Sequence, residues 1–171
     1  MRPTIYIISL FLVVITACKK ESPRVFQVPE SVITHFETFQ EEAQKRNMDL
    51  EADNLIIQLS DSAIINNGNY ACGIAFGNLT GDFQNTIRID TQCLAWRHSP
   101  QAREILLFHE FAHVFLERLH TDETLPNGDW KSMMTGQNWL VTDFYVNDAL
   151  KRGYYLEELF DPAVEVPEWG K

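Results

Sequence analysis

The chain has 171 residues, 24 acidic against 14 basic side chains, and a formal net charge of −10 at pH 7. That length suits one domain built on one core. So acidic a surface repels phosphate backbones and argues against nucleic acid as a partner.

Arg2 and the apolar run from Ile5 to Ile15 (IYIISLFLVVI) read as the charged and hydrophobic regions of an export signal. The run is too short to span a bilayer comfortably, and Lys19, Lys20 and Glu21 cut it off. Its end, Ile15-Thr16-Ala17-Cys18, resembles the lipobox of bacterial lipoproteins. The resemblance implies a signal peptide over 1–17 and acylation of Cys18. The protein would then be lipid-anchored in a bacterial cell envelope. Lys19 stands where inner-membrane retention is associated with aspartate, which points to the outer membrane. Residues 18–30, polar and carrying two prolines, then form a lipidated tether with an extended entry, and 31–171 a single domain expected to act as a monomer. With Cys18 acylated, Cys72 and Cys93 remain, and an exported pair predicts one disulfide closing a loop of about twenty residues.

Along the domain, Val32, Phe36, Phe39 and Ala43 recur at spacings of three and four, predicting a helix over 31–48 with Ser31 available as its cap. Residues 54–59 read as a strand with Leu55, Ile57 and Leu59 on one face. Residues 63–65 and 70–76 flank Asn67-Gly68, a strong hairpin signal, and 77–81 is loop. Thr86–Asp90 (TIRID) alternates as a half-buried strand. Ser99-Pro100, a capping serine before a first-turn proline, opens a long helix expected to reach Leu116 or Arg118. A polar, turn-rich stretch covers 121–131, and a last helix is expected over 138–151, with Leu140, Val141, Phe144, Tyr145 and Leu150 apolar. Helix, strands, helix, loop, helix is an α+β order.

The long helix contains Leu106-Leu107-Phe108-His109-Glu110-Phe111-Ala112-His113-Val114-Phe115-Leu116, apolar apart from two histidines and one glutamate. Such a helix is expected to be buried, and buried imidazoles and a carboxylate are costly unless partnered. A metal ion would partner all three. His109 and His113, four residues apart, can reach one ion, and Glu110 beside them can touch its water. In this His-Glu-x-x-His arrangement zinc lowers the pKa of bound water towards 7 and the glutamate takes its proton. A third ligand is required; His120 is the candidate, with Asp122, Glu123 or Asp143 as alternatives. On a continuous helix His120 would lie about 16 Å beyond His109, so the helix must end after His113 and the chain must fold back.

Those residues, with Ser132-Met133-Met134 downstream, resemble the zinc-binding motif and methionine turn of the metzincin metallopeptidases over roughly residues 86–150. The resemblance implies a small mixed sheet over a buried active-site helix. It makes His109, His113 and His120 the ligands of one zinc, Glu110 the general base, and Met134, or else Met133, the turn methionine. It further implies a peptide or protein substrate, and an edge strand at Thr86–Asp90 to align it. The chain departs from the pattern in three places. Leu116 replaces the usual glycine, His120 comes one residue late, and Gly136 stands where a tyrosine is common, leaving Tyr145 as a guess for its role. A non-catalytic zinc lipoprotein with the same fold is the alternative reading.

Overall fold

The computed structural model describes residues 24–50, 52–77, 83–137 and 148–171. The expected export signal, Cys18, Asp143, Tyr145 and residues 138–147 of the predicted last helix lie outside the described residues.

The fold is mixed α+β. In chain order it comprises β1 (Phe26–Gln27), α1 (Glu30–Gln44), β2 (Leu55–Ser60), β3 (Ile64–Asn66), β4 (Asn69–Ala71), β5 (Gly73–Phe76), β6 (Asn85–Asp90), α2 (Leu94–His98), α3 (Pro100–Phe115) and α4 (Ala149–Phe160), with a closing 3-10 turn at Glu168–Gly170. One mixed sheet runs β1-β2-β6-β5, and β3 and β4 form a separate hairpin. β1, β2 and β6 are parallel, while β5 runs antiparallel to β6 with Gly73 opposite Ile89 and Phe76 opposite Thr86.

Alternate positions of the two central strands, Leu55, Ile57, Ile87 and Ile89, are buried, as a period of two requires for one core face. The helices pack through aromatic rings. Phe36 and Phe39 of α1 meet Phe111 and Phe108 of α3 edge-on at 5.3 and 5.2 Å, and Phe39 lies 5.3 Å from Phe160 of α4. These tilted and edge-on geometries set the positive ring edge against the negative face. α3 is buried along most of its length, as its composition predicts.

Several boundaries differ from the sequence reading. β1 recruits Phe26 and Gln27 from the expected tether. α1 starts at Glu30 behind Pro29, so Ser31 lies inside the first turn, and it stops at Gln44, before Asn47 enters the left-handed region. The run 70–76 is divided at Cys72 into strands of two different sheets. Cys72 is bonded to Cys93, and its carbonyl accepts from Asp90 N at 2.8 Å. Thr86–Asp90 is not the edge: β2 and β5 occupy both sides of β6, and β5 is the outer strand. α2 is an unpredicted short helix. α4 begins at Asp148, whose carboxylate accepts from the amides of Leu150 and Lys151, and continues well past 151, burying Tyr154, Tyr155, Leu156 and Leu159. The Asn67-Gly68 hairpin turn is present, both residues taking positive φ.

The disulfide Cys72–Cys93, with Cα atoms 5.4 Å apart, closes a loop spanning 21 positions and ties the start of β5 to the entry of α2. Loop-closure entropy of that size contributes about 3 kcal/mol. The double variant Cys72→Ala/Cys93→Ala is therefore expected to melt lower by on the order of 10 °C, measured by circular dichroism; an unchanged melting temperature would deny the bridge a stabilising role.

Candidate metal centre

The site is assembled on α3. Ser99 Oγ accepts from Ala102 N at 3.0 Å and Pro100 occupies the first turn, so the helix starts firmly. One turn separates His109 from His113, which places both imidazoles on one side. α3 then ends at Phe115, earlier than Leu116 or Arg118. The amides of Leu116 and Arg118 both return to Ala112 O at 3.1 Å, and Glu117 adopts φ 50°. A non-glycine residue in this left-handed conformation costs about 1–2 kcal/mol. That turn brings His120 back over the helix.

The Nε2 atoms of His109, His113 and His120 stand 3.1 Å apart in all three pairs. Zinc bound tetrahedrally at about 2.0–2.1 Å spaces its nitrogens about 3.3 Å apart, so the donor set fits such an ion closely. The orientation is fixed from behind. His109 Nδ1 donates to Met133 O and His113 Nδ1 to Arg118 O, each at 2.7 Å, which leaves both Nε2 lone pairs facing the shared point. Burial, with the neighbouring His113 and His120, lowers His109 to about 3 against the opposing hydrogen bond to Met133. Burial also lowers His113. Both rings are thereby kept in the neutral form that binds metal. Among the described residues these three histidines are the group able to hold a metal ion.

Two of the alternative third ligands, Asp122 and Glu123, are engaged elsewhere. Asp122 Oδ1 accepts from Thr135 Oγ1 at 2.8 Å and Gly136 N at 2.9 Å, and Oδ2 from Gln137 Nε2 at 2.8 Å. These bonds, that from Gln137 foremost, hold its carboxyl below the usual range. Glu123 pairs with Lys131 at 2.6 Å. Together with Thr121 N donating to Met134 O at 2.9 Å, this stitching clamps the His120 segment to residues 133–137. Met133 and Met134 form a turn there, both fully buried. Met133 orients His109 through its carbonyl, and the Met134 carbonyl holds the segment that carries His120.

Glu110 is buried, and among the described residues its carboxylate has no hydrogen-bond donor. Burial alone pushes it up to about 8. Three converging imidazoles with a carboxyl group held in low dielectric on the same cleft form a setting that a cation would relieve.

Sequence reasoning missed Gly73 and read Gly136 only as an absent tyrosine, yet both glycines make room for the site. A Cβ on Gly73 would lie 2.4 Å from Glu110 Oε1, and one on Gly136 would lie 2.9 Å from His120 Nδ1. Gly136 therefore gives His120 its space; a tyrosine at that position could not coexist with this ring placement. An isolated glycine opening an apolar strand is the signal that could have exposed Gly73. Gly73→Ala is expected to displace the Glu110 side chain and to lower stability by about 1–3 kcal/mol, with the capacity of the three histidines for a metal ion retained. Urea unfolding and metal content check this, and a Gly73→Ala protein as stable as the parent would refute the close approach.

The three histidines and Glu110 line a cleft of about 700 Å³ whose walls include Gly73–Ala75 of β5, Tyr70, Leu94 and Leu119. His120 is exposed at its mouth. Tyr70 donates to Asp90 Oδ2 at 2.7 Å; burial and that carboxylate raise its pKa to about 12. His35 and His98 are not part of the ligand group, in line with their sequence spacing. Compared with known proteins, the chain matches no family model, no curated protein and no solved structure.

Proposed function

We propose that the protein is a zinc-dependent hydrolase of the metzincin type, acting on peptide bonds, lipid-anchored in a bacterial cell envelope. The observation that carries this reading is the triangle of Nε2 atoms 3.1 Å apart beside an unpartnered, buried Glu110 on the floor of an open cleft. His109, His113 and His120 would hold the ion. Zinc there would supply Lewis-acid polarisation of a carbonyl oxygen and a water of pKa near 7.

The chain's own residues perform the remaining tasks. Glu110 takes the proton of the attacking water on its carboxylate and delivers it to the leaving amine nitrogen. β5, outermost in the sheet and lining the cleft, offers backbone groups to an extended substrate chain. Gly73 keeps Glu110 close beneath that strand. The exposure of His120 leaves the cleft side of the triangle accessible, as a catalytic site needs and a closed structural site does not.

The test is elemental analysis joined to a peptide-library assay. Folded protein is expected to bind one zinc per chain, and chelation is expected to abolish cleavage until zinc is restored. Protein that takes up no transition metal even with added zinc would end the metal reading.

One observation favours a second reading, a non-catalytic zinc-binding lipoprotein. Gly136 occupies the place where metzincins often carry a tyrosine, so that position offers no phenol. Zinc-loaded protein enclosed by four protein ligands and inert towards every peptide would decide for it.

A further inference from the structure

The sheet has an aromatic end. β1, β2 and β6 all start there, and the antiparallel β5 finishes there, with Phe76 opposite Thr86 and Phe26 opposite Leu55, which in turn faces Asn85. Four apolar side chains crowd this end while remaining exposed: Val25 at 40%, Phe26 at 48%, Phe76 at 54% and Phe83 at 69%. The backbones of Val25 and Phe83 are held by side chains of their neighbours. The Gln84 side chain accepts from Val25 N at 3.2 Å and donates to Val25 O at 3.0 Å, and Asn54 Nδ2 donates to Phe83 O at 2.6 Å. Exposed phenylalanines gathered at one end of a sheet, with Phe26 leaning on Phe36 at 6.0 Å, are costly in water and are characteristic of surfaces that meet something apolar.

The position of the chain's entry says what that something is. Arg24, bound to Asp53 at 3.0 Å, leads directly into Val25 and Phe26. Only residues 19–23 separate it from Cys18. Even fully extended, that segment holds Arg24 within about 25 Å of the cysteine sulfur. If Cys18 is acylated, the aromatic end is the part of the domain tethered against the lipid surface.

We infer that this rim, Val25, Phe26, Phe76 and Phe83, is a membrane-docking edge that inserts into the headgroup–acyl boundary of a zwitterionic lipid surface and fixes how the domain stands on its anchor. The inference rests on the lipid-anchored reading of the N-terminus. Aromatic side chains favour that boundary. The net charge of −10 disfavours strongly anionic lipids, which is why zwitterionic headgroups are specified. Among the described residues no helix is long and apolar enough to cross a membrane. Since β5 carries both Phe76 and the cleft wall, docking would hold one end of the cleft near the bilayer.

The test uses the full chain, expressed so that it is processed, and reconstituted in vesicles of phosphatidylethanolamine and brominated phosphatidylcholine. Phe83→Trp and, as control, Ile65→Trp place a reporter at each end of the sheet. Ile65 is as exposed as the rim, at 63%, but lies on the hairpin beyond the far end of β2. Tryptophan quenching by the bromine atoms in the Phe83→Trp protein is expected to exceed that of both the parent and the Ile65→Trp protein at least twofold. Equal quenching at the two ends, in protein that co-floats with vesicles, overturns the docking edge and leaves the anchor standing. An intact mass lacking acyl chains on Cys18 overturns the anchor itself, and the docking edge with it.

Discussion

Substituting glutamine at Glu110 is expected to lower peptide hydrolysis about 10²–10⁴-fold, the usual contribution of a positioned proton-transfer group, while the protein keeps one zinc. Glutamine has nearly the same shape, so it still packs beneath Gly73, where a Cβ would find no room beside the natural side chain. It cannot accept a proton. Nor does it touch what orients the ligands, because His109 and His113 are held by the carbonyls of Met133 and Arg118. Loss of a buried, unpartnered carboxylate should also stabilise the metal-free protein, since burial alone raises its pKa to about 8. The measurements are kcat/KM on an unfolded substrate, metal content, and the melting temperature without metal. A Glu110→Gln protein as active as the parent would remove Glu110 from the chemistry. One that loses its zinc would make Glu110 part of the ligand set instead.

The parts of the site written in local spacing are legible in the sequence. His109, Glu110 and His113 follow from helical geometry and from their apolar surroundings, since four positions on one helix need no knowledge of the rest of the fold. Proximity across the chain is not legible in the same way. That β6 is flanked by β5 depends on a strand pairing which an alternating pattern leaves open, so Thr86–Asp90 looks as suitable for an edge as Gly73–Phe76 does. The left-handed turn at Glu117 is hidden because glycine is the usual marker of that conformation, and here backbone bonds to Ala112 O impose it on another residue. α4 is obscured by Gly153 in its interior, which costs about 1 kcal/mol in propensity that burial of Tyr155 and Leu159 overrides. Gly73 and Gly136 matter only because a carboxylate and an imidazole from distant segments press against them.

Arg118→Ala is expected to be the most destabilising single change near the site, although Arg118 binds no metal. Its guanidinium donates to Glu158 O and Leu159 O, each at 2.6 Å, and to Glu158 Oε1 at 2.7 Å, so it closes the last turn of α4 and neutralises a carboxylate only 2% exposed. Glu158 Oε2 is already buried without a hydrogen bond. Removing the arginine would leave that charge uncompensated, a loss of about 3–5 kcal/mol. The same residue's carbonyl accepts from His113 Nδ1, so freeing the segment from α4 should loosen the second ligand and weaken zinc binding about 10–100-fold. Urea unfolding and a zinc competition titration measure the two effects. The double variant Arg118→Ala/Glu158→Leu separates them: replacing a buried ion pair by apolar groups is often close to neutral, so stability should largely return. Zinc affinity should stay low, because the segment is still unanchored. An Arg118→Ala protein with the parent's stability and affinity would show that α4 does not support the metal centre.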